Sequence, residues 1–202
     1  MTGNNGFKLN LSLSYINLYN DLLICSDEML YFTAHLFLYR PFITNPLKDR
    51  NPNLEDKRYN MFADIVSQKT YNYWDRIGDL IASFFPGKTK TSSIYFYNSL
   101  DCVMKELEDS INFKWLKDFK DTEYKELNEK RKQIVHYRTT NTEYTSKYAM
   151  SGDDTDKLKK LHFERERLPE YYKKHVQLSL IGFEKTLKLL EETNVLLGLN
   201  SC

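Results

Sequence analysis

The stretch EKRKQIVHYR, residues 129–138, carries the two side chains best suited to chemistry, Arg131 and His136, with four residues between them. A histidine with an unperturbed pKa of about 6.5 takes up and releases a proton near neutral pH. An arginine offers a planar fork of donors that matches anionic oxygens, including those of a reacting phosphorus centre. Together the two residue types suit proton transfer at a phosphate. With 8 arginines and 4 histidines in the chain, an arginine followed by a histidine across four to six residues arises by chance about 0.5 times. The spacing alone therefore decides little, although this is the only such pair in the sequence.

The surroundings add more. Tyr124, Leu127, Ile134 and, at the edge, Val135 follow steps of three and four residues, the mark of a helix face, and those steps pass through position 131. An arginine in an apolar row needs a partner, because a buried guanidinium without one is costly. Asp75 and Asp79 in YWDRIGDLIA lie one helical turn apart and are expected to supply it; a solvated acidic edge beside Arg76 is the plainer alternative. Five residues along an ideal helix turn by about 140°, so His136 falls beside Lys125, Glu129 and Lys132 on the polar side. A straight regular helix does not present both groups on one face. Long side chains, a distorted last turn or a symmetry-related second copy would have to bring them together.

The elements that must hold this pair are helical. The chain has 202 residues, 41% hydrophobic and 28% charged, with 15 Tyr, 12 Phe, 7 Gly and 5 Pro. That is enough for one domain with a core of large rings, and glycine and proline are too scarce for a turn-rich β fold. An all-α, mostly up-and-down bundle of four to five long helices is predicted, as a single domain over residues 1–202. The first helix runs from Asn10 to Tyr39, with Leu11, Tyr15, Leu18, Leu22, Cys25, Met29, Phe32 and Leu36 inward. The second runs from Leu54 to Phe85 on a stripe of Phe62, Val66, Tyr73, Ile77, Leu80 and Phe84. A shorter third covers Ser93 to Ser110, and INFKWLKDF follows as a short irregular turn. Asp121 is placed to cap the motif helix, which ends near Tyr137. Residues 138–168 lack a clear apolar period and read as one long polar excursion before the last helix. Pro169 opens that helix, where Val176, Leu180, Phe183, Leu187 and Leu190 form a heptad-like seam.

Several chemistries are excluded. The loop PGKTKTSS lacks the upstream glycine of a phosphate-binding loop (Ala82 stands there) and follows a helix rather than a strand. His162 and His175 are far apart in lysine- and arginine-rich sequence, and His35 lies in the apolar HLFLY, so no metal site is expected. Cys25, Cys102 and Cys202 have no metal-ligand spacing; the first two suit a core, and a reducing compartment is the default. The net charge of +1 means that nucleic-acid binding would need a local basic patch. FERER and KLKKLH could extend one, although a solvated mixed-charge face is the plainer reading. No leader or apolar run long enough to span a bilayer is seen, and a soluble cytoplasmic protein without membrane association is expected.

On Arg131 and His136 in RKQIVHYR, the chain resembles the HEPN superfamily (higher eukaryotes and prokaryotes nucleotide-binding), whose signature is R-x(4–6)-H. The order of two long helices, a shorter one, the motif helix and a long closing helix also resembles that family, over nearly the whole chain. Lys132 departs from the Asn, Asp or His that many active members carry directly after the arginine.

The resemblance implies a metal-independent endoribonuclease, without cofactor, acting as a homodimer with the two motifs facing each other. It also implies RNA as substrate, a toxin, stress or phage-defence setting, and an antitoxin or other protein as possible partner. In that reading His136 is the general acid and base and Arg131 stabilises charge on the phosphorus centre. Lys132, Tyr137 and Arg138 hold the RNA backbone, and Asp75 and Asp79 support Arg131. Other members have lost catalysis, so a non-catalytic helical module binding a protein, RNA or nucleotide is the alternative. A plain bundle with Arg131 as a structural ion-pair residue is a third reading.

Overall fold

A computed structural model describes residues 5–85 and 95–196, with side chains of the first helix described from residue 16. Every regular element among the described residues is helical: α1 Asn5–Tyr39, α2 Leu54–Phe84, α3 Phe96–Ser99, α4 Ile111–Phe119, α5 Lys125–His136, α6 Thr140–Met150, α7 Thr155–Glu166 and α8 Leu168–Leu196. The all-α class expected from the scarcity of glycine and proline is the class observed. The PGKTKTSS loop, Cys202, Leu11 and Tyr15 lie outside the residues, or the side chains, that are described.

The chain divides into two compact units. One comprises Met1–Asp27, Asn72–Glu123 and Ser179–Cys202; the other comprises Glu28–Tyr71 and Tyr124–Leu178.

In the first unit the core gathers around Trp74 of α2, which is fully buried. Its ring stacks on Phe119 of α4 at 4.0 Å and meets Phe96 of α3 at 4.8 Å. Two glycines permit this closeness. A Cβ on Gly182 of α8 would stand 2.1 Å from the Trp74 ring, and one on Gly78 of α2 would stand 2.7 Å from the Phe96 backbone nitrogen. The third helix expected over Ser93–Ser110 is broken instead, with α3 followed by 3-10 turns at Leu100–Cys102 and Lys105–Leu107. INFKWLKDF, expected to be irregular, is α4. Ser110 caps it by accepting from the Asn112 amide at 3.1 Å, and Phe113, Leu116 and Phe119 turn inward at i,i+3 spacing. Asp121 does not cap the motif helix, because a π turn at Lys120–Tyr124 carries the chain directly from α4 into α5.

In the second unit Leu36, Ile43, Tyr59, Ala63, Val66 and Tyr172 form the main cluster. The reciprocal pair Asn53 and Asp56 caps α2. The Asp56 amide donates to Asn53 Oδ1 at 2.7 Å and the Asn53 amide donates to Asp56 Oδ2 at 2.9 Å.

The stretch 138–168 is not an excursion; it is α6 and α7. Thr139 caps α6 and Asp154 caps α7, and Gly152, at φ +52, makes the turn between them. Its helical pattern is hidden because tyrosine and arginine occupy the inward positions. Tyr144, Tyr148, Leu158 and Leu161 cluster, and Arg165 continues the α7 row while only 2% exposed. FERER is therefore not a solvated face at its central arginine. Arg165 pairs with fully buried Asp56 at 2.7 Å, and its Nε donates to Asn60 Oδ1 at 3.1 Å. Tyr59 donates its hydroxyl to the Arg165 carbonyl at 2.7 Å.

The last helix opens as expected, with Pro169 in its first turn. Its heptad-like seam, however, is not the buried stripe, and Leu180 is 71% exposed. Tyr172, His175, Ser179, Gly182, Thr186, Leu189 and Thr193 are buried, one step round the helix. Small and polar residues let neighbours approach closely, and Thr186 and Thr193 satisfy their hydroxyls on Gly182 and Leu189 carbonyls at 2.8 Å. Among the described residues no helix is long and apolar enough to cross a membrane.

Candidate functional site

The motif helix α5 is anchored by Tyr124 and Leu127, both fully buried, while Ile134 is half-buried and Val135 exposed. The inward row thus weakens toward the helix end. Arg131 sits on it half-buried, with its guanidinium carbon 4.6 Å from the centroid of the Tyr71 ring. Tyr71 of α2 in turn stacks on Tyr124 at 5.7 Å with ring planes 20° apart. The described partner of the inward arginine is therefore an aromatic face, which attracts a cation through its negative quadrupole and tolerates partial burial better than a bare apolar wall.

The expected carboxylate partners fall in the other unit. Asp79 accepts from its helix neighbour Arg76 at 2.7 Å. Burial holds the Asp79 carboxyl above its usual range, more than Arg76 lowers it. Asp75 accepts from the Phe96 amide at 3.4 Å.

His136 is the last residue of α5 and is exposed. The chain then leaves the helix through a widened turn in which the Tyr137 and Arg138 amides both donate to the Gln133 carbonyl, at 3.0 and 2.9 Å. Tyr137 is 81% exposed, and its ring lies edge-on to His136 with centroids 6.4 Å apart. Arg138 is exposed as well, and Lys132 is held by Glu129 at 2.9 Å. The described geometry thus gathers His136, Tyr137 and Arg138 at the end of α5, with Lys132 one turn back, and sends Arg131 to the inward side.

The remaining histidines occupy other roles. His35 is half-buried rather than a core residue; its Nδ1 lies 2.8 Å from the Tyr31 carbonyl, and its ring packs against Phe62 at 4.9 Å. His162 has a carboxylate one turn on, with Glu166 Oε1 3.5 Å from Nε2, and burial holds its pKa below the usual value. Among the described residues no three His, Cys, Asp or Glu side chains gather as metal ligands.

Two residues escaped the reading of the sequence. Tyr71 could have been found by asking for an aromatic rather than a carboxylate partner for Arg131. Lys130, beside the motif arginine, lays its ammonium 3.3 Å from the centroid of the Tyr171 ring, a pairing across 41 positions that no local pattern shows.

A family model described as HEPN_Cthe2314-like HEPN matches residues 31–193, which span both units and include the whole of α5. No curated protein and no solved structure matches the chain. With the arginine and histidine in place on an all-helical scaffold and a family match over more than half the sequence, the chain belongs to the HEPN superfamily.

Proposed function

We propose that the chain works as one HEPN-type domain, an endoribonuclease whose site is completed only when two copies meet. The observation that carries this reading is the divergence of the pair. Arg131 is half-buried on Tyr71, whereas His136 stands exposed at the tip of the same helix. A homodimer with two-fold symmetry brings a second arginine and a second histidine to one cleft.

There one His136 takes the proton of an RNA 2′-hydroxyl as its oxygen attacks the neighbouring phosphorus. The other copy's His136, protonated, donates to the departing 5′ oxygen. The P–O5′ bond breaks and a 2′,3′-cyclic phosphate and a 5′-hydroxyl remain. Arg131 stabilises the charge that builds on the phosphoryl oxygens, and Lys132, Tyr137 and Arg138 hold the strand. No metal or cofactor takes part in this chemistry, and a toxin or defence role with an antitoxin or other protein partner is its natural setting.

The test uses two differently tagged chains. Arg131→Ala and His136→Ala homodimers are each expected to lose at least about 100-fold in RNA cleavage. A purified heterodimer of one wild-type and one His136→Ala chain keeps a single histidine in the shared cleft and is expected to fall as far as the His136→Ala homodimer, whereas a site held within one chain would keep about half the wild-type rate. Failure of the wild-type protein to cleave any single-stranded RNA overturns the reading.

Lys132, at the position after the arginine and tied to Glu129, favours a second reading as a non-catalytic module that binds a protein, RNA or nucleotide. In that case both alanine variants keep their cellular effect.

A further inference from the structure

On the other flank of α5, within the second unit, a cavity of about 580 Å³ opens between α5, α6, α7 and the first turns of α8. This volume lies within the range of small-molecule sites, roughly 300–1,000 Å³. The walls join aromatic faces to positive charge: Tyr144, Phe163 and Tyr171 supply rings, and Lys130, Arg167 and Lys174 supply cations.

Part of the lining charge is already engaged. Lys147 pairs with Glu143 inside the wall, Glu170 pairs with Arg40, and Lys130 lies 3.1 Å from Glu126. Arg167 is different. Its side chain is exposed, lies 5.4 Å from the centroid of the Phe163 ring and forms no salt bridge with a described carboxylate. Phe163 is itself 56% exposed, an apolar ring beside the Arg167 guanidinium, whose charge also helps to hold the Glu170 carboxyl below its usual range. Glu164 adds an acceptor at the same wall.

A flat heteroaromatic ring with hydrogen-bonding edges and an attached phosphate satisfies all of these features. An aliphatic ligand would make no use of the exposed Arg167 guanidinium, and a simple anion would leave the rings unused.

We propose that this cavity receives one unstacked nucleotide of a single-stranded RNA, its base against the aromatic wall and its flanking phosphate on Arg167 and Lys174. Stacking on aromatic side chains combined with cations along the backbone is how single strands are held. The proposal rests on the reading of the chain as RNA-directed, and it adds a subsite that is separate from Arg131 and His136.

The test uses full-length protein carrying His136→Ala, so that RNA stays intact. Binding of an end-labelled single-stranded oligoribonucleotide is followed by fluorescence anisotropy. Phe163→Ala, Arg167→Ala and Lys174→Ala, each checked for native helicity by circular dichroism, are expected to weaken binding about tenfold. Lys114→Ala, an exposed charge control on α4, leaves it unchanged. RNA carrying 4-thiouridine is expected to crosslink to residues 163–174. Equal affinity for all variants, an equal loss with the Lys114 control, or crosslinks confined elsewhere overturns the subsite.

The two readings separate with His136 restored. A protein that cleaves RNA with KM untouched by Phe163→Ala and Arg167→Ala keeps the nuclease and loses the subsite. A protein that cleaves nothing, yet binds RNA through these residues, keeps the subsite and loses the nuclease.

Discussion

Arg131 holds its guanidinium carbon 4.6 Å from the ring centroid of Tyr71, and the ring of Tyr71 rests on that of Tyr124. The motif arginine is thus positioned by an aromatic stack. Tyr71→Phe keeps the aromatic face and is expected to destabilise less than Tyr71→Ala. Tyr71→Ala removes the face and opens a cavity, at a cost of about 3–5 kcal/mol. Chemical denaturation separates the two, and RNA cleavage should follow the same order. The double variant Asp75→Asn/Asp79→Asn is expected to leave that activity in place; its loss would make the carboxylates the support of Arg131.

The buried pair Arg165 and Asp56 ties α7 to the start of α2. Asp56 also accepts from the Thr44 amide at 3.0 Å and from the Thr44 hydroxyl. Removing one member leaves the other charged and enclosed, so Arg165→Met is expected to cost about 3–5 kcal/mol. The double variant Arg165→Met/Asp56→Leu is expected to cost less than the sum of its parts, which a double-mutant cycle in urea measures.

The same carboxylate has a pH signature. Burial pushes the Asp56 pKa up, but the Thr44 hydroxyl, the Arg165 guanidinium and the Asn53 and Thr44 amides outweigh it and hold the carboxyl below its usual range. A lowered folded-state value means that its contribution is fully present above the ordinary value of about 3.9 and is lost as pH falls below it. The melting temperature of the wild type should therefore drop below about pH 4, and Asp56→Asn should flatten that limb. A variant with the same acid slope as the wild type would remove Asp56 from this role.

Gly182 lets α8 lie against Trp74. A methyl group there meets the indole at 2.1 Å, so Gly182→Ala is expected to destabilise by about 1–3 kcal/mol even though alanine favours helices. Combining it with Trp74→Phe, which makes room, should recover part of the loss in equilibrium unfolding.

Much of the scaffold is legible in the chain because burial writes a period into it. Leu22, Met29 and Leu36 on α1, and Val66, Tyr73 and Ile77 on α2, are buried where apolar spacing predicts. Arg131 is conspicuous for the same reason, as a charge on an apolar row. The period fails where polar residues fill inward positions. Arg165 can be buried only because Asp56, 109 positions earlier, meets it, and α8 turns small and polar residues inward because Gly182 must face Trp74.

By itself, then, the sequence determined the helical class, the long helices and the positions of Arg131 and His136, all consequences of local periodicity and residue chemistry. Only the tertiary structure decided which partner Arg131 meets, which stripe of α8 is inward, and which rings and cations line the cavity beside α5. Those are contacts between residues distant in the chain, and their energies depend on geometry that no local pattern carries.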